Sequence, residues 1–110
     1  MWHTILLSAL AGLVGANAVP HFVKGMVGEQ FPNVLGNDSL RNAVAGTLGL
    51  GLAVAIGYWA HLGAHAMAGV ASVFAGVLVM AVFHGLGGAY RLNSVLGLPN
   101  PPRTTDSDAP

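Results

Sequence analysis

The sequence predicts an all-α integral membrane protein with three transmembrane helices, and three observations carry that prediction. The 49 residues from Asn42 to Tyr90 contain no Asp, Glu, Lys or Arg. Charged residues make up 7% of the chain, against about one quarter in an ordinary soluble domain, so lipid is the matching solvent. A second apolar run, Trp2 to Val19, precedes the uncharged stretch. Finally, the chain has 16 glycines, too many for a soluble helical domain but tolerated in membrane helices, where small residues let backbones approach closely.

The elements follow in order. Residues 2–19 form a first span near the lower length limit for crossing the hydrocarbon, with Pro20 ending it. The uncharged stretch is too long for one crossing and fits two, at residues 43–62 and 66–85. Gly63 breaks the pattern between them, so these two helices are expected to form a tight antiparallel hairpin. Residues 1–98 make one membrane domain. The proline-rich segment Pro99-Asn100-Pro101-Pro102 stops any helix, and residues 99–110 read as a disordered polar tail.

Charge placement sets direction. With three spans retained, Lys24, Arg41, Arg91 and Arg103 all share one side, and these are the only Lys and Arg residues. The positive-inside rule then puts the N-terminus out and the C-terminus in, in a bacterial inner membrane. Ala16-Asn17-Ala18 has the form of a signal-peptidase site. Cleavage there would deliver the new N-terminus outside, against the charge bias, so retention is the expectation.

Small residues are expected to hold the helices together, because lipid gives little hydrophobic drive between spans. Ala45, Gly49, Ala53 and Gly57 form a stripe four apart on the second span. Gly69, Ser72 and Gly76 share one face of the third at spacings of three and four, as do Ser8, Ala11 and Gly15 on the first. The stripes serve packing within the chain, or self-association, or docking on a larger complex. The segment 20–41 is too apolar for a solvent loop and too interrupted by Gly and Pro for a span, which suits an interfacial segment. Asp38 or Ser39 is the expected N-cap of the second helix.

Asn17, Pro20, His21, Phe22, Gly25, Gly28, Phe31 and Pro32 spell N-x-x-P-H-F-x-x-G-x-x-G-x-x-F-P. This segment, with Lys24 and the later Asn42, resembles one found in a group of small bacterial membrane proteins with no assigned activity. The resemblance covers about the first 45 residues and implies a bacterial inner-membrane protein of open role. In the residues' own terms, Gly25 and Gly28 permit a bend or close approach, and His21 and Phe22 sit at the interface.

Chemistry is sparse. No carboxylate lies at membrane depth, which argues against an ion-coupled transporter. The chain has no cysteine, and no nucleophile–base or carboxylate pair, so no enzyme is expected. With zero formal net charge, nothing suggests a nucleic-acid partner, which needs a basic face. The outer histidines are His3, His61 and His65. His61 and His65 are four apart, a spacing used for zinc, although Gly63 interrupts it. They read as interfacial anchors beside Trp2, Tyr58 and Trp59, with an outer metal or haem site as the alternative. His21 and His84 at the inner edge could line a pocket with Lys24 and Arg91 for a lipid phosphate or quinone head. The methionines read as packing, and no cofactor is required. The expected function is therefore an accessory, scaffold or assembly subunit, with the bilayer and a protein partner or second copy as its contacts. A small oligomeric transporter and a metal- or haem-binding module are the alternatives.

Overall fold

Helix α1 (Trp2–Met26) lies at the centre of the molecule, with α2 (Ser39–Trp59) on one side and α3 (Ala66–Gly85) on the other. A short 3-10 turn at Leu62–Ala64 joins α2 to α3, and a fourth helix, α4 (Gly88–Val95), follows. The computed structural model describes residues 1–103. Helices α1, α2 and α3 are each long and apolar enough to cross a membrane. Their distribution of side chains suits lipid. The buried positions are small or polar, including Ser8, Ala11, Ala18, Asn42 and Ala60. Large apolar residues such as Leu6, Leu48, Val54, Phe74 and Leu78 face outward.

Helix α1 runs straight through Pro20, correcting the expectation that proline ends it. The balance of costs explains this. An interior proline costs about 3 kcal/mol. Ending the helix at that depth would leave a turn of carbonyls without donors, each costing several kcal/mol in hydrocarbon. At 25 residues, α1 is about 38 Å long and exceeds the apolar thickness of about 30 Å. Its last turn then reaches the interface. It closes with a Schellman motif: Gly28 has φ +77°, the Glu29 amide donates to Lys24 O and the Gly28 amide to Gly25 O. The interfacial loop thus shrinks to residues 27–38.

Helix α2 begins at Ser39, earlier than the expected residue 43. Its N-cap is Asp38, whose carboxylate accepts from the Arg41 amide at 3.0 Å. It ends at Trp59 instead of residue 62, and His61 takes a left-handed φ of 52°. Helix α4 was not anticipated. Gly87 at φ +77° turns the chain into it, and Gly97 at φ +71° ends it in a second Schellman motif.

The tight α2–α3 hairpin is overturned. These two helices scarcely touch, and each packs instead on α1. On the α2 side, Gly15 meets Ala53, Ala18 meets Gly49, Phe22 meets Gly46 and Gly25 meets Ala43, in one antiparallel register. Side chains added at Gly25 or Gly46 would strike the opposing backbone. The α1 positions 15, 18, 22 and 25 alternate by three and four, the 3.5-residue repeat of a left-handed crossing. On the α3 side the helices run parallel: Gly69 faces Thr4 and Ser8, Gly12 faces the Val73 carbonyl, and Gly76 faces the Ala9 carbonyl. Of the stripe expected on α2, Gly49 and Ala53 lie in the seam. Gly57 does not, since a Cβ there meets no described atom within 4 Å. Gly46 and Ala43 take the place expected for Gly57 and Ala45. Gly69 and Gly76 are buried as packing residues, while the half-buried Ser72 bonds its hydroxyl to Ala68 O at 2.7 Å.

The separate tail is corrected in its first part. Pro101 is buried, Pro99 O accepts from Asn37 and Asn93, and Arg103 lies 4.4 Å over the Tyr90 ring. The expectation of disorder for residues 104–110 falls outside the described residues. Thermal unfolding in detergent tests the seam. Gly46→Leu is expected to destabilise by about 2 kcal/mol or more through overpacking. Gly57→Leu should stay within about 0.5 kcal/mol of the parent, because it faces open space.

Candidate functional site

The polar chemistry of this protein gathers at one end of the bundle, where α1 finishes, α2 begins and the 27–38 loop, α4 and Pro99–Arg103 close over them. All six asparagines lie there. Asn42, in the first turn of α2, is fully buried and forms the knot. Its Nδ2 lies 2.9 to 3.0 Å from the carbonyls of Phe31, Asn37 and Asp38. Its Oδ1 accepts from His21 Nδ1 at 2.6 Å and from Asn33 Nδ2 at 3.4 Å. One side chain therefore joins α1, α2 and the loop. Asn37 extends the network by donating to Pro99 O at 2.7 Å and accepting from Asn93 Nδ2 at 3.2 Å. Asn100 donates to Tyr90 O and to Ser94 Oγ, each at 3.0 Å.

An aromatic group fills the centre. The Phe31 ring lies 5.1 Å from His21, 5.9 Å from His84 and 6.2 Å from Tyr90, and the two histidine rings are 6.1 Å apart. His84 Nε2 donates to Asn17 Oδ1 at 2.9 Å. A carbonyl oxygen only accepts, so this nitrogen carries the proton. In the neutral ring, Nδ1 is then an acceptor. It is buried and has no partner among the described residues, a condition it shares only with Ser8 Oγ. A cavity of about 130 Å3 is lined by Asn17, His21, Asn33, His84 and Asn93 among others. A larger groove of about 720 Å3 runs along α1 between α2 and α3, floored by Gly12, Gly15 and Ala16 and reaching His84 and Lys24. His84 lines both.

The N-x-x-P-H-F segment is thus divided among roles. Asn17 orients His84, and His21 binds Asn42. Phe22 and Gly25 pack on α2, Gly28 ends α1, Phe31 centres the aromatic group and Pro32 is buried. The residues that sequence reading underrated are Asn33, Asn37, Asn93 and His84. The available signal was that five asparagines fall on one predicted side of the membrane and the sixth, Asn17, at that end of the first span.

The outer histidines are not assembled into a metal site. His3 and His61 stack at 5.5 Å, and His3 Nε2 donates to Trp59 O at 2.7 Å. That bond uses a ligand nitrogen to tie α1 to the end of α2. His65 instead begins α3, and among the described residues no three His, Cys, Asp or Glu side chains could hold a metal ion together. Two ion pairs lie at the loop end, Lys24 with Glu29 at 2.6 Å and Arg41 with Asp38 at 2.7 Å.

Comparison with known proteins gives no match: no family model, no curated sequence and no solved structure is similar to this chain.

Replacing Asn42 with Leu leaves His21, Asn33 and three loop carbonyls short of partners. It should cost about 2 kcal/mol or more, and raise hydrogen exchange across residues 27–38 before the spans open. The Arg41 amide, and then its guanidinium, hold the Asp38 carboxyl below the ordinary aspartate range. A depressed pKa stabilises above the unfolded value, about 3.9, and that stabilisation fades as pH falls through the folded value below it. Fraying of the α2 N-terminus should therefore rise only below about pH 4. Asp38→Asn should remove that dependence in a hydrogen-exchange series.

Proposed function

We propose that this protein is a small multi-pass subunit that acts by helix contact in a bacterial inner membrane, as an accessory, scaffold or assembly component. The single observation carrying this reading is Gly51. A glycine inside a helix costs about 1 kcal/mol relative to alanine. Gly12, Gly25, Gly46 and Gly76 offset that by letting backbones of this chain meet. Gly51 is exposed, and a Cβ there meets no described atom within 4 Å, so it has no such internal return. With Thr47 and Ala55 it forms a row of small residues four apart on the outer face of α2. That is the pattern through which a helix of another chain approaches closely. The Thr47 hydroxyl is satisfied by Ala43 O at 2.8 Å, so this face presents no unpaired donor to lipid.

The orientation follows from charge. Lys24, Arg41, Arg91 and Arg103 are all the Lys and Arg of the chain, and they belong to the loop end. The loop end is therefore cytoplasmic and the His3 end external. Retention of the first apolar segment belongs to this reading, and the packing of both other spans on α1 supports it.

Gly51→Leu tests the docking face. The expected outcome is an unchanged helical content and unfolding temperature, with loss of the larger assembly seen by native size in mild detergent. An assembly that survives Gly51→Leu intact removes this face from consideration.

A further inference from the structure

Neither Arg91 nor Arg103 lines the cavity at His21 and His84. Together they line a different one, a surface pocket of about 620 Å3 between α4 and residues 100–103, with Tyr90, Ser94, Val95 and Asn100 also in its wall. Its parts are held in place. The Arg103 guanidinium lies 4.4 Å over the Tyr90 ring and against Gly87, where a Cβ would strike it. Asn100 Nδ2 donates to Tyr90 O and to Ser94 Oγ, each at 3.0 Å, which ties this segment to α4. Ser94 spends an acceptor lone pair there and keeps its proton to donate.

The charge in this pocket has one sign. Arg91 and Arg103 are exposed, and a guanidinium stays cationic throughout the physiological pH range. No acidic residue lines the pocket, and the ion pairs among the described residues belong to Lys24 and Arg41. Two like charges at one pocket repel, and an anion between them reverses the sign of the interaction. Guanidinium forks match the paired oxygens of a phosphate.

Position narrows the class of phosphate. Helix α4 begins at Gly88, just past the end of α3 at Gly85, so the pocket lies where the third span leaves the hydrocarbon. Leu92, Val95 and Leu96 are exposed on α4, and Val95 belongs to the pocket wall. Apolar surface beside cationic donors at that level suits an amphiphile with a phosphate head. No acid in the wall can meet the ammonium of a zwitterionic headgroup, which favours a headgroup of net negative charge.

We infer that this pocket binds the phosphate of an anionic phospholipid. Arg91, Arg103 and the Ser94 hydroxyl are the donors, and Val95 lies against the glycerol. Inorganic phosphate shares the head chemistry, and the test separates the two sources. The inference rests on the membrane placement of the three spans and not on the Gly51 face.

The test uses the full chain, 15N-labelled at arginine, in phosphatidylcholine nanodiscs. In one series phosphatidylglycerol replaces phosphatidylcholine stepwise. In the other, sodium phosphate is added to pure phosphatidylcholine discs at matched ionic strength. The Nε resonances of Arg91 and Arg103 should shift and saturate together at a low fraction of phosphatidylglycerol. That of Arg41, paired with Asp38, should stay in place. The same saturating shift with sodium phosphate alone supports the site and makes soluble phosphate its source. Arg91→Gln and Arg103→Gln should each weaken binding roughly tenfold, through loss of a charge-assisted hydrogen bond, with helical content unchanged. Gly51→Leu should bind as the parent does. Resonances unmoved by either probe overturn the inference, and the parent spectra alone can return that result. A drift of all three arginines without saturation reports general attraction to a charged surface and also overturns it. So does a parent that ignores both probes while the Asp106→Asn, Asp108→Asn variant moves Arg91 and Arg103, since the chain's own carboxylates are then the occupant.

Discussion

Helix α1 meets both other spans through rows of small residues, and the rest of the molecule is arranged by that constraint. In lipid, apolar side chains gain little by leaving their surroundings, so helices stay together only where backbones come close enough for dispersion to add up. Gly15, Ala18 and Gly25 allow it toward α2, and Ser8 and Gly12 toward α3. Because both seams belong to one helix, α2 and α3 are held apart by it, which opens the groove between them. The groove is therefore a by-product of where the glycines fall.

The loop end obeys a second constraint. Irregular backbone near the membrane must have its polar groups paired from within the protein. Helix ends with Gly28 and Gly97 in left-handed conformations recover part of this through Schellman bonds. Asparagine side chains supply the rest, since each carries donors and an acceptor without a charge to desolvate. Asn42 serves three carbonyls of the loop while holding His21. Six asparagines at one end form a structural cap whose by-product is a fixed pair of imidazoles, His21 and His84, beside Phe31.

These two constraints divide the possible functions between surfaces. The cap engages Asn37, Asn42 and His21 in internal hydrogen bonds, and His3 is engaged in the same way at the other end. Among the described residues, the outer face of α2 at Gly51 meets no neighbour, and the buried His84 Nδ1 and Ser8 Oγ have no hydrogen-bond partner.

Much was legible from the residues alone. The absence of charge from Asn42 to Tyr90 and the apolar run from Trp2 to Val19 together indicated three apolar helices, and Asp38 announced the start of α2, because solvent preference and capping are local properties read over one or two turns. Gly49, Ala53, Gly69 and Gly76 do meet α1 as their spacing suggested, whereas Gly57, in the same row, meets no described atom. Spacing shows which residues share a face but not which face has a neighbour. Pro20 misled because its local preference is to end a helix, and only the cost of unpaired carbonyls at depth reverses that. The central position of α1, the groove and the pairing of Asn42 with His21 depend on residues far apart in the chain. Their physical cause is close approach between helices, which the tertiary structure alone decides.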